Sequence, residues 1–439
     1  MSKARLPLNY WKLWSATFIS NIGNGVTAIA FPWLASSLTR SPLTIAIVGL
    51  MSQLPWLLFT LPAGVITDRF DRKKIIVATD IARGLVTVIT CTVLFFNRSN
   101  FLHIKDPTHG YTGTSAGWLI ALMMVATFIL GSAEVLGNNS AQTFMPEVVE
   151  ESQLHTANGQ MASAESIANQ FAGPALGSLL LGISIYIPFL FDGASFFISA
   201  ALIALMTTQG SKIAHNRKES NKSPTTLFIN ELKEGFRWLM SHELLRPMAF
   251  TLGSLNFISS MSLASYILFA QEVLHVSIFI MAVLGTAGAF GGLVGGILGP
   301  KLIAKIGEGR AISTALISFP TLFLLGFFVT RWYLFYILIF LEMFISVVWN
   351  IVTVSFRQTI IPSELLGRVN SGYRFFGWGS MPLGSLTGGL ITTVSVHYIS
   401  REYALRIPFF IAGVIGLAVF AVTRGIFTSE RLTSAKNQA

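Results

Sequence analysis

The sequence predicts an all-α membrane protein in which twelve transmembrane helices form two pseudo-symmetric six-helix halves. The first observation is composition, since 52% of the 439 residues are hydrophobic and 11% are charged, against about 25% charged residues in an ordinary soluble domain. The second is a series of membrane-length apolar runs, and the third is a repeat that relates the two halves. Together they exclude a soluble globular protein.

Twelve apolar runs account for the predicted helices. A helix needs about 20 mostly apolar residues to cross the hydrocarbon core of a bilayer, and every run reaches that length. The fifth and eleventh runs are rich in glycine and serine, as closely packed membrane helices tend to be. The runs cover residues 11–38, 43–66, 75–96, 117–140, 155–182, 186–207, 247–273, 279–303, 311–330, 332–355, 367–394 and 403–423.

A polar segment between the sixth and seventh runs divides the chain into three predicted parts. These are an N-terminal six-helix half (residues 1–207), a linker (208–246) and a C-terminal six-helix half (247–439). Inside the linker, residues 227–240 place apolar side chains at helical spacing with charged residues between them. This pattern predicts a short amphipathic helix at the membrane surface.

The cations predict the orientation of the chain. With both termini in the cytoplasm, 22 of the 30 lysines and arginines lie in cytoplasmic segments and six lie outside. Cytoplasmic loops of membrane proteins carry such an excess of positive charge. We therefore predict a multi-pass membrane protein with both termini in the cytoplasm, and the net charge of +10 reflects topology and not binding to nucleic acid.

Short matches in the same order relate the two halves. The pattern Gln-Thr-x-x-Pro leaves both the fourth and the tenth runs, and Ile-Pro-Phe opens both the sixth and the twelfth. Many transporters are built from such internal repeats. The matched segments are residues 142–146 with 358–362 and residues 187–189 with 407–409.

A charged turn joins the second run to the third and carries the clearest motif of the chain. Its pattern is Gly64-x-x-x-Asp68-Arg69-x-x-Arg72-Lys73. This pattern resembles the signature loop between helices 2 and 3 of major facilitator transporters. The segment Pro146-Glu147 and the Asp192 segment of the sixth run are similar to bacterial drug-efflux members, closest to the macrolide-efflux and enterobactin-exporter group.

The resemblance implies a gating role for the signature turn. In the families it resembles, the aspartate at the position of Asp68 is thought to latch one conformation against the start of the eleventh helix, here near Gly367. Gly64 lets a neighbouring helix approach closely. Arg72 and Lys73 could equally be positive-inside anchors. The second-half counterpart, residues 304–310, keeps the basic edges and lacks the aspartate.

Glycines of the fifth run resemble the motif that marks exporters of this superfamily. Gly173-Pro174-x-x-Gly177 fits the motif, whereas Asn169 and Ser178 replace two of its glycines. Proline removes a backbone hydrogen bond and bends a helix. We expect these glycines to pack closely on the glycine-rich eighth run, and the motif favours export.

Intramembrane acids are the candidates for proton coupling, because coupling needs a group that exchanges charge inside the protein. Glu134 and Glu342 lie well inside the fourth and tenth runs, which line the central cavity in the family the chain resembles. A structural hydrogen bond or ion pair is the alternative for each. Asp192, six residues into the sixth run, could be an outer proton gate or a loop anchor.

Two further intramembrane acids could have structural roles. Asp80 and Arg83 are three residues apart and can pair with each other. Glu165 could pair with Arg83 or with Lys12.

Polar and aromatic residues within the runs are candidates for a substrate cavity, although each could serve helix packing instead. The group that the chain resembles carries an acid at the position of Asn24, so one expected proton site is an amide here. The candidates are Asn21, Asn24, Asn138, Asn256, Tyr266, Trp349 and Asn350.

The sequence predicts no enzyme and no cofactor or metal site. It has no Gly-x-x-x-x-Gly-Lys-Ser/Thr phosphate loop, and its single cysteine, Cys91, excludes a cysteine-ligated metal. We therefore expect a monomeric secondary transporter that uses a proton gradient and binds a small-molecule substrate within the lipid bilayer.

The leading hypothesis is proton-coupled export, by antiport, of amphipathic drug-like or siderophore-like compounds through alternating access of the two halves. Three alternatives stay open at this point. The chain could take up or exchange a metabolite, it could export lipid, or it could be a membrane sensor that has lost transport.

Overall fold

The structure is a computed structural model. It describes residues 6–97, 116–150, 153–207, 224–362 and 365–438. Within these ranges the description leaves out the side chains of residues 61, 64, 65, 68, 69, 116, 155, 156, 162, 170, 224–232, 366, 367, 371 and 438. The described residues are helical almost throughout and include no strand.

Seven helices form the part of the chain before the linker. A π-helical turn, Ala168–Ala172, joins α5 to α6, so these two helices make one span. The helices are α1 (Leu8–Leu38), α2 (Pro42–Arg69), α3 (Arg72–Phe96), α4 (Ala116–Val148), α5 (Leu154–Ile167), α6 (Gly173–Ile183) and α7 (Ile187–Ala204).

Eight helices follow. A second π-helical turn, Phe269–Val273, continues α9, and α8 lies where the linker spacing predicts an amphipathic helix. The helices are α8 (Pro224–Ser241), α9 (Leu245–Leu268), α10 (Ile278–Ile306), α11 (Glu308–Phe328), α12 (Trp332–Ile360), α13 (Leu366–Ser395), α14 (Arg401–Thr423) and α15 (Ser429–Gln438).

Each of the twelve predicted runs has its helix, and the predicted all-α membrane fold is confirmed. The largest difference in bounds is at α4, which continues eight residues beyond position 140. In the described part of the chain, nine helices are long and apolar enough to cross a membrane. The first and eleventh spans fall below that measure because of their polar composition, and the fifth because the π-helical turn divides it into helices of 14 and 11 residues.

The π-helical turn before α6 has a local cause in the sequence. Pro174 has no backbone N–H, and its ring would clash with the carbonyl four residues earlier in a regular helix. Residues 168–172 instead adopt the wider π geometry, which is common at such interruptions. The span therefore continues through the proline, and Gly173 and Gly177 stay on one face of α6.

The chain divides into two structural units, each assembled from more than one segment. Unit 1 comprises Met1–Arg40, Met51–Ser220 and Ser277–Thr286, and unit 2 comprises Ser41–Leu50, Asn221–Val276 and Ala287–Ala439. The division at residues 207 and 246 expected from the sequence stays a prediction.

Each unit has an apolar core. Unit 1 packs α1, α3, α4, α5 and α7 around Phe144 and Met145. In unit 2, Phe269 packs against Phe335 and Phe409, with ring centroids 5.2 and 5.0 Å apart.

Candidate functional site

A polar cavity of about 490 Å³ lies within unit 1. Helices α1, α3, α4 and α5 and the π-helical turn supply most of its polar lining, to which α7 adds Ser199. Three carboxylates and one guanidinium belong to it, together with a set of amides. The lining includes Asn21, Asn24, Asp80, Arg83, Glu134, Asn138, Gln142, Asn158, Glu165 and Asn169.

Helical periodicity explains why these side chains converge. On α4, Glu134, Asn138 and Gln142 are four residues apart, so they form one ladder along the helix. Asn21 and Asn24 on α1 are three apart, as are Asp80 and Arg83 on α3. Four helices that turn such faces towards one another produce a polar cavity inside an otherwise apolar unit.

Arg83 is the central cation of the site. Its Nη2 donates to Oδ1 of Asn24, and its Nη1 lies 4.0 Å from Oδ1 of Asp80. Its Cζ lies 4.0 Å above the centroid of the Phe196 ring. The predicted Asp80–Arg83 pair is therefore present but long, because Asp80 accepts its shorter bond from Ser199 Oγ at 2.6 Å.

Asp192 lies behind this cavity and not in its lining. Its side chain is 1% exposed. A Cβ added to Gly23 would collide with Asp192 Oδ1 and Ser195 Oγ, so the glycine on α1 makes room for the carboxyl. The structure thus places Asp192 where α7 meets α1, among buried groups.

Asn21 and Asn169 connect α1 to the fifth span. Asn169 Nδ2 donates to Oδ1 of Asn21 at 2.6 Å, and Asn21 Nδ2 donates to the carbonyl of Thr17 at 2.8 Å. The residue that departs from the exporter glycine motif, Asn169, therefore has a specific partner in the cavity.

The glycines of the motif pack against α1, a contact that was not expected, while Pro174 lies beside the eighth run, since a Cβ at Gly285 of α10 would lie 3.5 Å from Cβ of Pro174. A Cβ at Gly177 would lie 2.7 Å from the Val26 carbonyl, and one at Gly25 would lie 2.9 Å from Cδ of Pro174. Further along α10 the partner is α12, since a Cβ at Gly295 would lie 3.1 Å from the Phe344 carbonyl. The spacing of small residues predicts close packing but not the partner helix.

Glu342 is bonded within unit 2. Ser259 Oγ of α9 donates to its Oε1 at 3.1 Å. Asn256 Nδ2 donates to the carbonyl of Gly377 at 2.9 Å and joins α9 to α13. Glu342 and Asn256 therefore both take part in contacts between helices.

The other cavity candidates of unit 2 differ in exposure. Tyr266 is half-buried, and its ring is stacked on Phe335 with centroids 5.9 Å apart. Trp349 is buried against Phe427, whereas the next residue, Asn350, is exposed. Their predicted contact with a substrate stays a prediction.

The signature turn falls partly outside the described residues. The backbone of Gly64, Asp68 and Arg69 belongs to α2, but their side chains lie outside the description, as does that of Gly367, so the latch stays a prediction. Arg72 donates to the Thr143 carbonyl at 3.0 Å and pairs with Glu147. It therefore ties the start of α3 to the end of α4.

Lys73 holds the end of α7. Its Nζ donates to the carbonyls of Ala204 at 2.9 Å and Met206 at 2.7 Å. Lys12 Nζ donates to the neighbouring carbonyl of Leu205 at 2.7 Å. Cations are stabilised at helix C-termini, where the last carbonyls lack helical partners. Lys12 therefore serves this helix end and not Glu165, for which the sequence left Arg83 and Lys12 open as partners.

Sequence reasoning missed Glu147 and underrated Arg83. The Pro146-Glu147 segment indicated a resemblance to a family, but it did not predict a partner for Glu147. Arg83 was expected to pair along its own helix, whereas its shortest bond goes to Asn24 on another helix. Contacts between residues about 60–75 positions apart leave no local signal.

Comparisons with known proteins agree with this fold. The family model described as transmembrane secretion effector matches residues 7–422. The multidrug efflux pump Tap of Mycobacterium tuberculosis is 23% identical over 421 residues, which are 93% of this chain and 92% of Tap. The macrolide efflux protein A of Streptococcus pyogenes is 23% identical over 176 residues, 40% of this chain and 38% of that protein.

Solved structures show the same fold. A variant of the nucleoside transporter NupG matches with a TM-score of 0.72 and 11% sequence identity, covering 96% of this chain and 100% of NupG. At that identity the likeness shows the fold alone.

Fold, helices and likenesses together define a class: this is a multi-pass membrane transporter of small molecules, with the major facilitator fold, and not an enzyme. Within that superfamily the chain belongs to the family described as transmembrane secretion effectors. The resemblance to bacterial drug-efflux members expected from the sequence is confirmed.

Proposed function

We propose that the chain is a proton-coupled exporter of amphipathic small molecules. In this proposal it lies in the cytoplasmic membrane of a bacterium with both termini in the cytoplasm. It works as a monomer by alternating access and uses the proton gradient without a bound cofactor.

The observation that carries the proposal is the polar cavity of unit 1. Its lining holds three carboxylates, Asp80, Glu134 and Glu165, against the single guanidinium of Arg83. A cavity with excess negative charge inside a membrane attracts a cationic ligand and can exchange that cation for protons. The amides Asn21, Asn138 and Asn169 add hydrogen-bonding groups for polar parts of the ligand.

Export as the direction rests on two further observations. One is the Gly173-Pro174-x-x-Gly177 motif, which packs on α1 beside the cavity. The other is the naming of the relatives Tap and macrolide efflux protein A as efflux proteins. An amphipathic organic cation is the substrate class that fits both the cavity and these names.

Glu134 has the central role in this proposal, because it belongs to the cavity and lies inside α4. We assign it to binding the cation and exchanging it for a proton. Asp68 is assigned to gating from its sequence motif, so Asp68→Asn should slow transport and leave expression and ligand binding largely intact. Unimpaired transport by this variant would contradict the gating assignment.

The direct test is transport by the purified full chain in proteoliposomes with an imposed pH gradient. Ethidium serves as a fluorescent aromatic cation and erythromycin as a macrolide. The proposal predicts that either or both move against the proton flow and that a protonophore abolishes the movement. Transport independent of the gradient or in the same direction as protons, movement of a fluorescent lipid instead, or binding without turnover would each contradict it.

A further inference from the structure

Asp192 is a buried carboxyl that the cavity does not explain. It lies on α7, is 1% exposed and is absent from the cavity lining. Within the described part of the chain, its Oδ1 is buried and has no hydrogen-bond partner. Buried polar atoms almost always have partners, so this oxygen calls for a physical explanation.

Charged side chains on two other helices interact electrostatically with Asp192. Arg83 of α3 and Glu134 of α4 both act on it electrostatically, and Asp80 lies one turn before Arg83. The α1 residues beside it, Gly23 and Asn24, are uncharged, and α6 contains no titratable residue. Arg83 is therefore the one cation among these neighbours, and it faces several carboxyls.

Arg83 also connects Asp192 to the cavity. Its guanidinium lies over the ring of Phe196, which follows Asp192 by one turn of α7. On its other side it donates to the amide oxygen of Asn24, which lines the cavity. Within the described residues, the buried Nε of Arg83 has no hydrogen-bond partner, so this side chain has a donor left for a further acceptor.

Charge balance distinguishes the two aspartates. Asp80 accepts a bond from Ser199 and lies beside Arg83, which together support a carboxylate. A second carboxylate at Asp192 would exceed the charge of Arg83, and an uncompensated buried charge is strongly unfavourable. Asp80 and Asp192 together therefore hold one proton, which leaves one carboxylate to balance the charge of Arg83.

We propose that Asp192 is a proton-binding site separate from the substrate cavity, and that Arg83 links the two through its bond to Asn24. This proposal rests on the proposed proton-coupled export and adds a second proton-binding site besides Glu134, which exchanges its proton inside the cavity. Arg83 acts as a positioning residue, since it contacts the amide of Asn24 in the cavity and does not bind the proton.

The proton step is a simple exchange. When Asp192 is protonated, its O–H bond is intact, and Arg83 stays with Asn24 and Asp80. When that bond breaks, the proton passes to water and the electron pair stays on the carboxylate. Arg83 then swings to Asp192 and releases Asn24, which changes the cavity that the substrate meets. Rebinding of a proton reverses each change.

The test exchanges the carboxylate of Asp192 and the amide of Asn24. Asp192→Asn removes the proposed site, and Asn24→Asp places an isosteric carboxylate on the atom that Arg83 already contacts. The double variant keeps the number of carboxylates. Infrared difference spectra of the purified full chain between acid and alkaline pH should show a protonated-carboxyl band that Asp192→Asn loses and the double variant regains.

Transport supplies the second arm. In proteoliposomes, Asp192→Asn should lower pH-driven ethidium transport by about tenfold, the factor for about 1.4 kcal/mol, and the double variant should restore most of it. The control Glu402→Gln, at an exposed carboxylate of α14, should match the original chain in both arms.

Each outcome decides the proposal. It is overturned by an unchanged infrared band or full pH-driven transport in Asp192→Asn. It is also overturned by a folded double variant, as judged by size-exclusion chromatography, that remains as defective as the single variant. If the original chain shows no pH-driven transport, the proposed function fails, and the infrared arm still decides whether Asp192 binds the proton.

Discussion

Unit 1 holds five ionisable side chains within its helices, in or beside one cavity, whereas most ion pairs described in unit 2 lie near helix ends. The first set comprises Asp80, Arg83, Glu134, Glu165 and Asp192. The second includes Glu272 with Arg401 and Glu308 with Lys436. The mid-helix acid Glu342 of unit 2 is bonded by Ser259. This difference indicates that ionic chemistry is concentrated in unit 1, while the end pairs of unit 2 fasten helices together.

The charged turns of the two units differ in the same way. In unit 1, Arg72 and Lys73 tie α3 to α4 and α7. In unit 2, Gly307 has a φ of 84°, a backbone conformation that favours glycine, and Glu308 accepts two bonds from Lys436 of α15 at 2.6 and 2.7 Å. The second-half turn is therefore held by the C-terminal helix of its own unit.

The largest stability effect should come from the buried cation. Arg83→Gln leaves Asp80 and Asp192 without a counter-charge, and breaking a buried pair costs about 3–5 kcal/mol. Arg401→Gln is the matched variant in unit 2, where the pair is partly exposed, with side chains 35% and 20% exposed. Solvent screens such a pair, so its loss should cost closer to the about 0–1 kcal/mol of a surface pair. Thermal unfolding in detergent, followed by tryptophan fluorescence, should show a much larger fall in unfolding temperature for Arg83→Gln than for Arg401→Gln. Equal falls in unfolding temperature for the two variants would contradict the difference between the units.

A smaller effect should come from helix packing. A Cβ at Gly25 would lie 2.8 Å from Cα of Gly173, so Gly25→Ala overpacks α1 against α6 and should cost about 1–3 kcal/mol. Gly296 of α10 has nothing within 4 Å of such a Cβ, and alanine there should gain up to about 1 kcal/mol from helix propensity. The same unfolding assay compares the two variants. A destabilised Gly296→Ala alongside an unaffected Gly25→Ala would contradict the packing described.

The smallest effect concerns pH and the start of α9 in unit 2. His242 Nδ1 accepts the backbone N–H groups of Leu244 at 3.2 Å and Leu245 at 3.3 Å, which requires a neutral ring. Burial lowers the pKa of His242, and the charge of Glu243 opposes that shift. The stability from this cap is full above the ordinary pKa of 6.5 and is lost as the pH falls through the lowered value.

His242→Ala should therefore lower the unfolding temperature at neutral pH, by the equivalent of about 0.5–2 kcal/mol for a lost cap. The difference from the original chain should shrink in acid. His397→Ala, at an exposed histidine after α13, provides the control. A difference that grows as the pH falls would show that the ring acts as a cation instead.

Much of the fold follows from the sequence because apolar runs and helical periodicity are local properties. The twelve helices begin and end near the predicted positions. The cavity candidates Asn21, Asn24 and Asn138 line one cavity together with Glu134, and their contact with a substrate stays a prediction. Local spacing also predicted the linker helix. These features need no knowledge of which helix neighbours which.

The remaining features depend on helix neighbours, which spacing does not specify. Gly177 was expected to meet the eighth run and instead contacts Val26 of α1. Lys12, one of two partners that the sequence left open for Glu165, binds the end of α7. Likewise, the burial of Asp192 behind the cavity depends on Gly23, a residue about 170 positions earlier that carried no signal of its own.

The most direct measurement of the central claim compares one acid from each unit. Glu134→Gln and Glu342→Gln would be reconstituted at equal density, and ethidium transport driven by an imposed pH gradient would be measured for both. The account predicts a loss of about tenfold or more for Glu134→Gln and near-original rates for Glu342→Gln. Full pH-driven transport by Glu134→Gln, or loss of coupling in Glu342→Gln alone, would contradict the placement of the ionic chemistry in unit 1.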